Sequence, residues 1–432
     1  LVTGLGLVPV LLTLLPPRRL PDTDSQRWIE RVATGIVGRS GLVALVTLVL
    51  IIGAGIFGLT AALELQRRGH QVTIADPGPV PHPMAASNDV SRMVRMDYGG
   101  DGLYSSLGAD SIEGWHRWNA SWGRDLYHED GLLITCSVPM VAGSFEQDSY
   151  SLLTGRGFPL EKLSPGDLAQ TYPHWNSDYY IDGYFNPRAG WAEANEIIAS
   201  LAQDAADIGV VIVTGFSATS LLQDGVKVTG AVSTDSAELR ADWVVVAAGV
   251  WTTRLLPDLA NRMWPVGQPI FYFKPTDIDS YRPPSFPPWG ADIPRSGWYG
   301  FPANSQGVVK LANHGPGRRV HADADRVTRS EEEANCREFL AQSLPSLASL
   351  PLHGSKMCLY CDTWDGDFWI SRDPEQDGLV VATGGSGHAF KFAPVLGGLI
   401  ADALEGTKNS YSERFAWRSL GEIKSEDIRY TG

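Results

Sequence analysis

Residues 42–78 read LVALVTLVLIIGAGIFGLTAALELQRRGHQVTIADPG. Leu48 to Ile52 form a continuous apolar run rich in β-branched residues, as a strand buried on both faces requires. Gly53, Gly55 and Gly58 follow at once, with Ile56 and Phe57 between the last two, giving G-A-G-I-F-G. The first glycine permits a tight turn, the second lets a pyrophosphate approach the backbone, and the third lets a helix pack closely on its strand. Residues 58–68 carry Leu59, Ala62, Leu63 and Leu65 at helical spacing, and Gly69 stops the helix. Val72–Ala75 read as a second strand ending in Asp76, about 20 residues after the glycines. That acid is suited to accept from ribose hydroxyls, so the unit favours FAD or NAD over NADP. The glycine pattern alone does not choose between those two.

Two further segments fit the same unit. Residues 242–252, DWVVVAAGVWT, are an apolar strand ending in small residues, and 378–387, GLVVATGGSG, repeat that pattern before a helix from about Pro394. These parts predict an α/β fold with a discontinuous Rossmann-like domain. It comprises residues 45–100, 190–255 and 355–432. Residues 101–189 and 256–354 form an interleaved α+β substrate domain with an antiparallel sheet. Stretches such as DGLLITCSV and IFYFK point to that sheet.

Composition bounds the rest. The chain has 432 residues, 44% hydrophobic, so a large core is available. Its net charge of −14 disfavours a nucleic-acid partner, which expects a basic footprint. Four cysteines are too few for a disulfide scaffold. Residues 1–17, LVTGLGLVPVLLTLLPP, are apolar enough for a targeting segment or short anchor, but Pro9, Pro16 and Pro17 interrupt them. Residues 18–40 are polar with room for one short helix. We treat 1–44 as an extension outside both domains, with membrane contact only if 1–17 act as an anchor. The closing residues IRYTG are not an S-K-L type address. The thiols favour an intracellular setting, and the Asn119-Ala-Ser121 sequon is weak evidence against it.

Four segments hold candidate chemistry. In GVVKLANHG, residues 307–315, Lys310, Ala312 and His314 share a strand face. The lysine is either at a sheet edge or turned toward a polar cavity, and the edge is the simpler reading. In GGSGHAFKF, residues 384–392, glycines precede a helix and Lys391 sits near its N-terminus. A cation there is disfavoured unless an anionic ligand offsets the helix dipole. In SRMVRMDY, residues 91–98, Arg92 and Arg95 share a face if the stretch is helical. They are surface arginines or a carboxylate grip. In MCLYCDTWDGDFWI, residues 357–370, Cys358-x-x-Cys361 is an inert pair, a redox pair or half a zinc site, and the histidine spacings support no metal.

Together these segments carry a resemblance. The chain resembles the amine-oxidising flavoenzymes of the monomeric sarcosine oxidase family, whose relatives include pipecolate oxidases and fructosyl-amino-acid oxidases. The matching motifs are IIGAGIFG, SRMVR, WYGFP with GVVKLANH, MCLY and GHAFKF, in the family's order across about 48–420. The resemblance implies FAD, covalently held through Cys358. It implies that Lys310 activates oxygen, which reverses the edge reading. It implies that Arg95 and Lys391 grip a substrate carboxylate, with Tyr299, His314 and Tyr360 lining the pocket. Gly53, Gly55, Ile56, Phe57, Gly58, Asp76, Ser91, Arg92, Gly385, Gly387, His388, Phe390 and Lys391 would contact the cofactor. The implied reaction oxidises the C–N bond of a secondary amino acid such as sarcosine, pipecolate or saccharopine to an imine, with O2 reduced to hydrogen peroxide. The expected partners are a small-molecule amine and O2, and the expected state is a monomer. The alternative is a fructosyl-amino-acid oxidase. Fructosyl-amino-acid oxidases tend to carry an acid four residues after the lysine, where this chain has His314. The Asn88-Asp89 pair in NDVSR leans the other way.

Overall fold

The computed structural model describes residues 46–424 and Arg429. The readings for 1–44 and for the closing IRYTG lie outside the described residues, apart from Arg429. Residues from Thr47 onward form one compact unit. Among the described residues no helix is long and apolar enough to cross a membrane.

The glycine-containing stretch folds as strand Leu48–Ile52, helix Ile56–Arg67 and strand Gln71–Asp76. Alternation decides where the first strand's side chains go. Val49 and Ile51 pack with Leu59, Ala62 and Leu63 of the helix, while Leu50 and Ile52 enter a separate core with Val244 and Val246. Both faces are covered, which is why the run is apolar throughout. Burying Leu59 completely contributes roughly 1.5–3 kcal/mol.

This strand lies inside a six-stranded sheet. In spatial order the strands are Trp369–Arg372, Leu379–Thr383, Trp243–Val246, Leu48–Ile52, Gln71–Asp76 and Val211–Thr214. All neighbours are parallel except the first pair. The expected 242–252 strand ends early, because Gly249–Trp251 turn into a 3-10 helix beside the glycine turn.

A second sheet has nine strands and is mainly antiparallel. Its long members are Met263–Phe273 and Leu352–Thr363, paired along most of their length. Strand Val309–Asn313 runs between Met263–Phe273 and Trp298–Phe301. Strand Leu132–Cys136, inside DGLLITCSV, pairs parallel with Trp289–Ala291 and antiparallel with Asp182–Asn186. A small sheet joins Arg92–Val94 to Gly190–Ala192 and Tyr127–His128. The mixed α/β class expected from the sequence is the class observed. Asn119 of the sequon accepts from the backbone N–H groups of Leu126 and Tyr127, so its amide serves a local turn.

Candidate active site

The glycine turn is built to exclude side chains. Gly53 has φ of +107°, and a Cβ on it would lie 2.5 Å from the Ala247 carbonyl oxygen. A Cβ on Gly58 would lie 1.8 Å from the Gly53 carbonyl oxygen. Asp76 accepts from Ala54 N–H at 2.8 Å and from Gly78 N–H at 3.1 Å, so the acid also ties the turn together. Ser87 accepts from Ile56 N–H at 3.1 Å at the start of the helix. Helix N-termini present N–H groups without intrahelical partners, which suits an anion.

A cavity of about 370 Å³ opens from this turn. Gly53, Gly55, Ile56, Phe57 and Asp76 line it near the turn. Arg92, Cys358, Tyr360, Gly385, Gly387 and Phe390 are also on its wall. A smaller cavity of about 60 Å³ shares Arg92, Tyr299, Gly387 and Phe390 with the first and adds Arg95, His314, His388 and Lys391. Leu132, Ile293 and Phe301 supply its apolar wall. Gly58, Ser91 and Lys310 are not on either wall.

Arg92 and Arg95 do not share a helical face. Arg92–Val94 is a strand, so the conditional helical spacing gives way to strand alternation. Arg92 bonds the Asp89 carboxylate and the carbonyls of Ser91 and Ala86, and its guanidinium faces the Cys358 thiol at 3.9 Å. Arg95 is buried, stacks 4.5 Å over the Tyr98 ring, and leaves Nη1 without a hydrogen-bond partner. A buried guanidinium N–H of this kind is costly unless a ligand accepts from it.

Lys391 sits in the 3-10 turn Phe390–Phe392, just before helix Ala393–Glu405. Its ammonium donates to the Tyr98 hydroxyl at 2.9 Å and to the His388 carbonyl at 2.8 Å. The Tyr98 hydroxyl also meets His388 Nδ1 at 3.0 Å, and His388 Nε2 meets the Gly366 carbonyl at 3.0 Å. These contacts impose an order. Lysine can only donate, so Tyr98 passes its proton bond to Nδ1 and Nε2–H donates to Gly366.

Lys310 is not at a sheet edge. Its strand is paired on both sides, and the side chain is 1% exposed. The simple edge reading of the residue is corrected: an ammonium this deep persists only with a counter-charge, which Asp89 supplies at 2.7 Å. Burial pulls Lys310 down to about 7, against the opposing pull of Asp89. Tyr299 and Tyr360 meet hydroxyl to hydroxyl at 3.4 Å. Burial raises both phenols, so they are neutral at physiological pH.

Cys358 and Cys361 lie three apart on strand Leu352–Thr363 and are both free thiols. Residues at that spacing alternate to opposite faces of a strand, so the redox-pair geometry is absent. Cys361 Sγ accepts weakly from the Thr383 hydroxyl at 3.7 Å, in a different neighbourhood, and burial pushes its thiol up to about 11.

The model of the FAD dependent oxidoreductase family, DAO, matches residues 49–403. The chain belongs to that family. It is therefore an FAD-dependent oxidoreductase. It is 25% identical over 368 residues to monomeric sarcosine oxidase from a Bacillus species, covering 83% of this chain and 92% of that protein. It is 28% identical over 425 residues to L-saccharopine oxidase from Schizosaccharomyces pombe, covering 88% and 95%. Among solved structures it is similar to fructosyl amine: oxygen oxidoreductase (Amadoriase I) from Aspergillus fumigatus. That match has a TM-score of 0.78 at 25% identity, over 91% of this chain and 95% of the other.

The residues of this FAD-dependent oxidoreductase fit the cofactor. The turn keeps its open shape only with glycine at 53 and 58, where a Cβ would strike backbone oxygens, and a Cβ on Gly387 would lie 2.2 Å from the Tyr360 ring on the cavity wall. Buried Ser91 Oγ also lacks a hydrogen-bond partner. Several site residues had no individual reading from sequence. Ser87, Tyr98, Tyr272, Phe301 and Lys356 reach the site only through pairing across long separations. Asp89 and Tyr98 lay within SRMVRMDY and the preceding NDVSR, but both stand in irregular segments flanking strand Arg92–Val94, where no periodicity singles them out.

Proposed function

We propose that this flavoenzyme oxidises the C–N bond of a carboxylate-bearing secondary amino acid to an imine, using O2 as acceptor and releasing hydrogen peroxide. The observation that carries this reading is the buried Arg95 guanidinium with an unpartnered Nη1 on the wall of a small cavity that also presents Lys391. Two cations there suit one carboxylate, held by charge-assisted hydrogen bonds. The neighbouring cations Arg92, Arg95 and Lys391 favour the neutral form of a bound amine, which is the form able to give up the C–H hydrogen. Leu132, Ile293 and Phe301 keep water from the reacting carbon. Tyr299, Tyr360 and His314 orient the amine by packing and hydrogen bonding, the two phenols as neutral groups.

FAD, when bound, supplies the two-electron acceptor and the site where O2 is subsequently reduced. Gly53, Gly55, Gly58 and Asp76 would hold its dinucleotide end. Ser91, Arg92, Gly385, Gly387, His388, Phe390 and Lys391 would surround the ring, with Cys358 the proposed covalent attachment. Lys310 would offset negative charge developing on oxygen, an electrostatic contribution of the oxyanion-hole type. In this reading residues 45–100, 190–255 and 355–432 serve the cofactor, and 101–189 and 256–354 serve the substrate.

The relatives named as saccharopine and sarcosine oxidases support an amino-acid substrate. The structural likeness to an amadoriase favours the second reading, a fructosyl amino acid. Against it, Asp89, the acid that leaned toward that side, is fully buried and occupied by Lys310, Arg92 and Tyr272, so it has no oxygen to offer a sugar.

Peroxide release should be measured over N-methyl, cyclic, saccharopine-type and glycated amino acids, each as free acid and as methyl ester. Esterification should cut kcat/KM by about 10–100-fold, the loss of a charge-assisted contact. Equal turnover of acid and ester would sink the carboxylate grip. Flavin fluorescence that stays with acid-denatured protein, and vanishes in Cys358→Ala, is the expected sign of attachment.

A further inference from the structure

Asp89 has no part in the proposed chemistry, yet it is among the most heavily engaged charges in the described residues. Its side chain is fully buried. Oδ2 lies 2.7 Å from the Lys310 ammonium and bonds the Arg92 guanidinium as well. Oδ1 accepts from the Tyr272 hydroxyl and from Val90 N–H, both at 2.8 Å, and faces the Lys356 ammonium at 3.9 Å. Three cations therefore converge on one carboxylate. Lys310 also donates to the Ser91 carbonyl at 2.6 Å and lies 4.5 Å over the Phe301 ring, and Lys356 donates to the Asn88 carbonyl at 2.6 Å.

The charges are finely balanced. Burial alone would push Asp89 up, but Lys310, Arg92 and Lys356 hold it well below the ordinary carboxylate range. For Lys310 the balance falls differently. Burial pulls it down, Asp89 pushes it up, and Arg92 and Lys356 pull it down again. One unit of nearby charge decides which form this lysine takes near neutral pH.

We propose that Asp89 is a positioning residue whose carboxylate anchors the Lys310 ammonium against Ser91 and so governs that lysine's service to the oxygen half of the reaction. The inference rests on the oxidase reading for its kinetic consequence, but the ion pair itself does not. Asp89 need not touch substrate or cofactor to act. It acts by keeping Lys310 charged and in place. With its counter-charge gone, Lys310 would face Arg92 and Lys356 unopposed and give up its proton.

The test uses the FAD-loaded enzyme. In the parent protein, reoxidation of reduced flavin by O2 should slow as pH rises through about 7, the point where Lys310 becomes neutral. Asp89→Asn keeps the shape and removes the charge. Its midpoint should move down by about one pH unit or more, with reoxidation at pH 7 falling by about fivefold or more. Anaerobic reduction of the flavin by substrate should change far less. Asp89→Glu should return the midpoint toward the parent value, which a merely structural role would not predict. Lys356→Met removes a competing cation and should move the midpoint up, an independent arm if Asp89→Asn fails to fold. An unchanged midpoint in soluble, FAD-loaded Asp89→Asn overturns the proposal, as does an unchanged or lowered one in Lys356→Met. Carbon NMR of labelled lysine in the resting protein reads the Lys310 titration without turnover, and the same shifts are expected. Lys310→Met separates the two readings. Unaltered reoxidation in that variant would defeat the oxygen role of the lysine, while the NMR midpoints would still decide whether Asp89 governs its charge.

Discussion

The glycine turn at residues 53–58 and the charge cluster around Asp89 are close neighbours in this fold, but they are held together by opposite means. The turn works by lacking atoms. Its partners are short side chains and backbone groups nearby, such as the Asp76 carboxylate, the Ser87 hydroxyl and the Ala75 carbonyl that accepts from Gly53 N–H at 2.8 Å. The cluster works by having too many charges in one place. Its members come from positions 89, 92, 272, 310 and 356, brought together by two sheets. Sterics make the first rigid and intolerant. Electrostatic balance makes the second adjustable, because a buried charge responds to each neighbour at low local dielectric.

Substitutions should separate these two kinds of construction. The largest effect is expected at Gly58→Ala. Its Cβ would meet a carbonyl oxygen at 1.8 Å, and neither backbone segment can retreat without moving the strand. Overpacking of this kind costs about 1–3 kcal/mol or more. Flavin content, read as the ratio of 450 to 280 nm absorbance, should fall to a small fraction, with a lower Tm. A fully yellow Gly58→Ala protein would mean that the turn is not sterically closed.

Arg95→Met comes next and tests the charged side. Flavin content should be unchanged, while KM for the amino acid rises by about 10–100-fold, the worth of a charge-assisted bond. An unchanged KM would show that Arg95 leaves its Nη1 unused in the complex too. The smallest effect is expected at Tyr98→Phe, which removes only the hydroxyl between Lys391 and His388. Two hydrogen bonds are lost, one of them from an ammonium, but Lys391 keeps the His388 carbonyl and His388 keeps the Gly366 carbonyl, so kcat/KM should drop only about two- to tenfold, the worth of about 0.5–1.5 kcal/mol. A loss as large as that of Arg95→Met would mean that the chain through His388 does more than hold Lys391.

How legible these regions were follows from the same contrast. The strand, turn, helix and second strand appear where the sequence places them, since Val49–Ile52 bury apolar side chains by strand alternation and Leu59, Ala62, Leu63 and Leu65 by helical periodicity. The candidate pocket was half legible. Arg95 and Lys391 could be named from motifs, but their cavity could not. Lys310 looked like an edge residue, because one strand's sequence does not state what pairs on either side of it. Arg92 and Arg95 fitted a helix as well as a strand until the contact with Gly190–Ala192 selected the strand.

From residues 48–76 alone, then, the nucleotide turn, its helix and its acid follow, because their geometry depends on bond rotations, the absence of Cβ atoms and contacts a few residues away. The partnership of Asp89 with Lys310 does not follow from any such stretch. It spans 221 positions, and an ammonium's charge in a dry interior depends on what tertiary packing sets beside it. Sequence named both residues; the meeting of two sheets made them a pair.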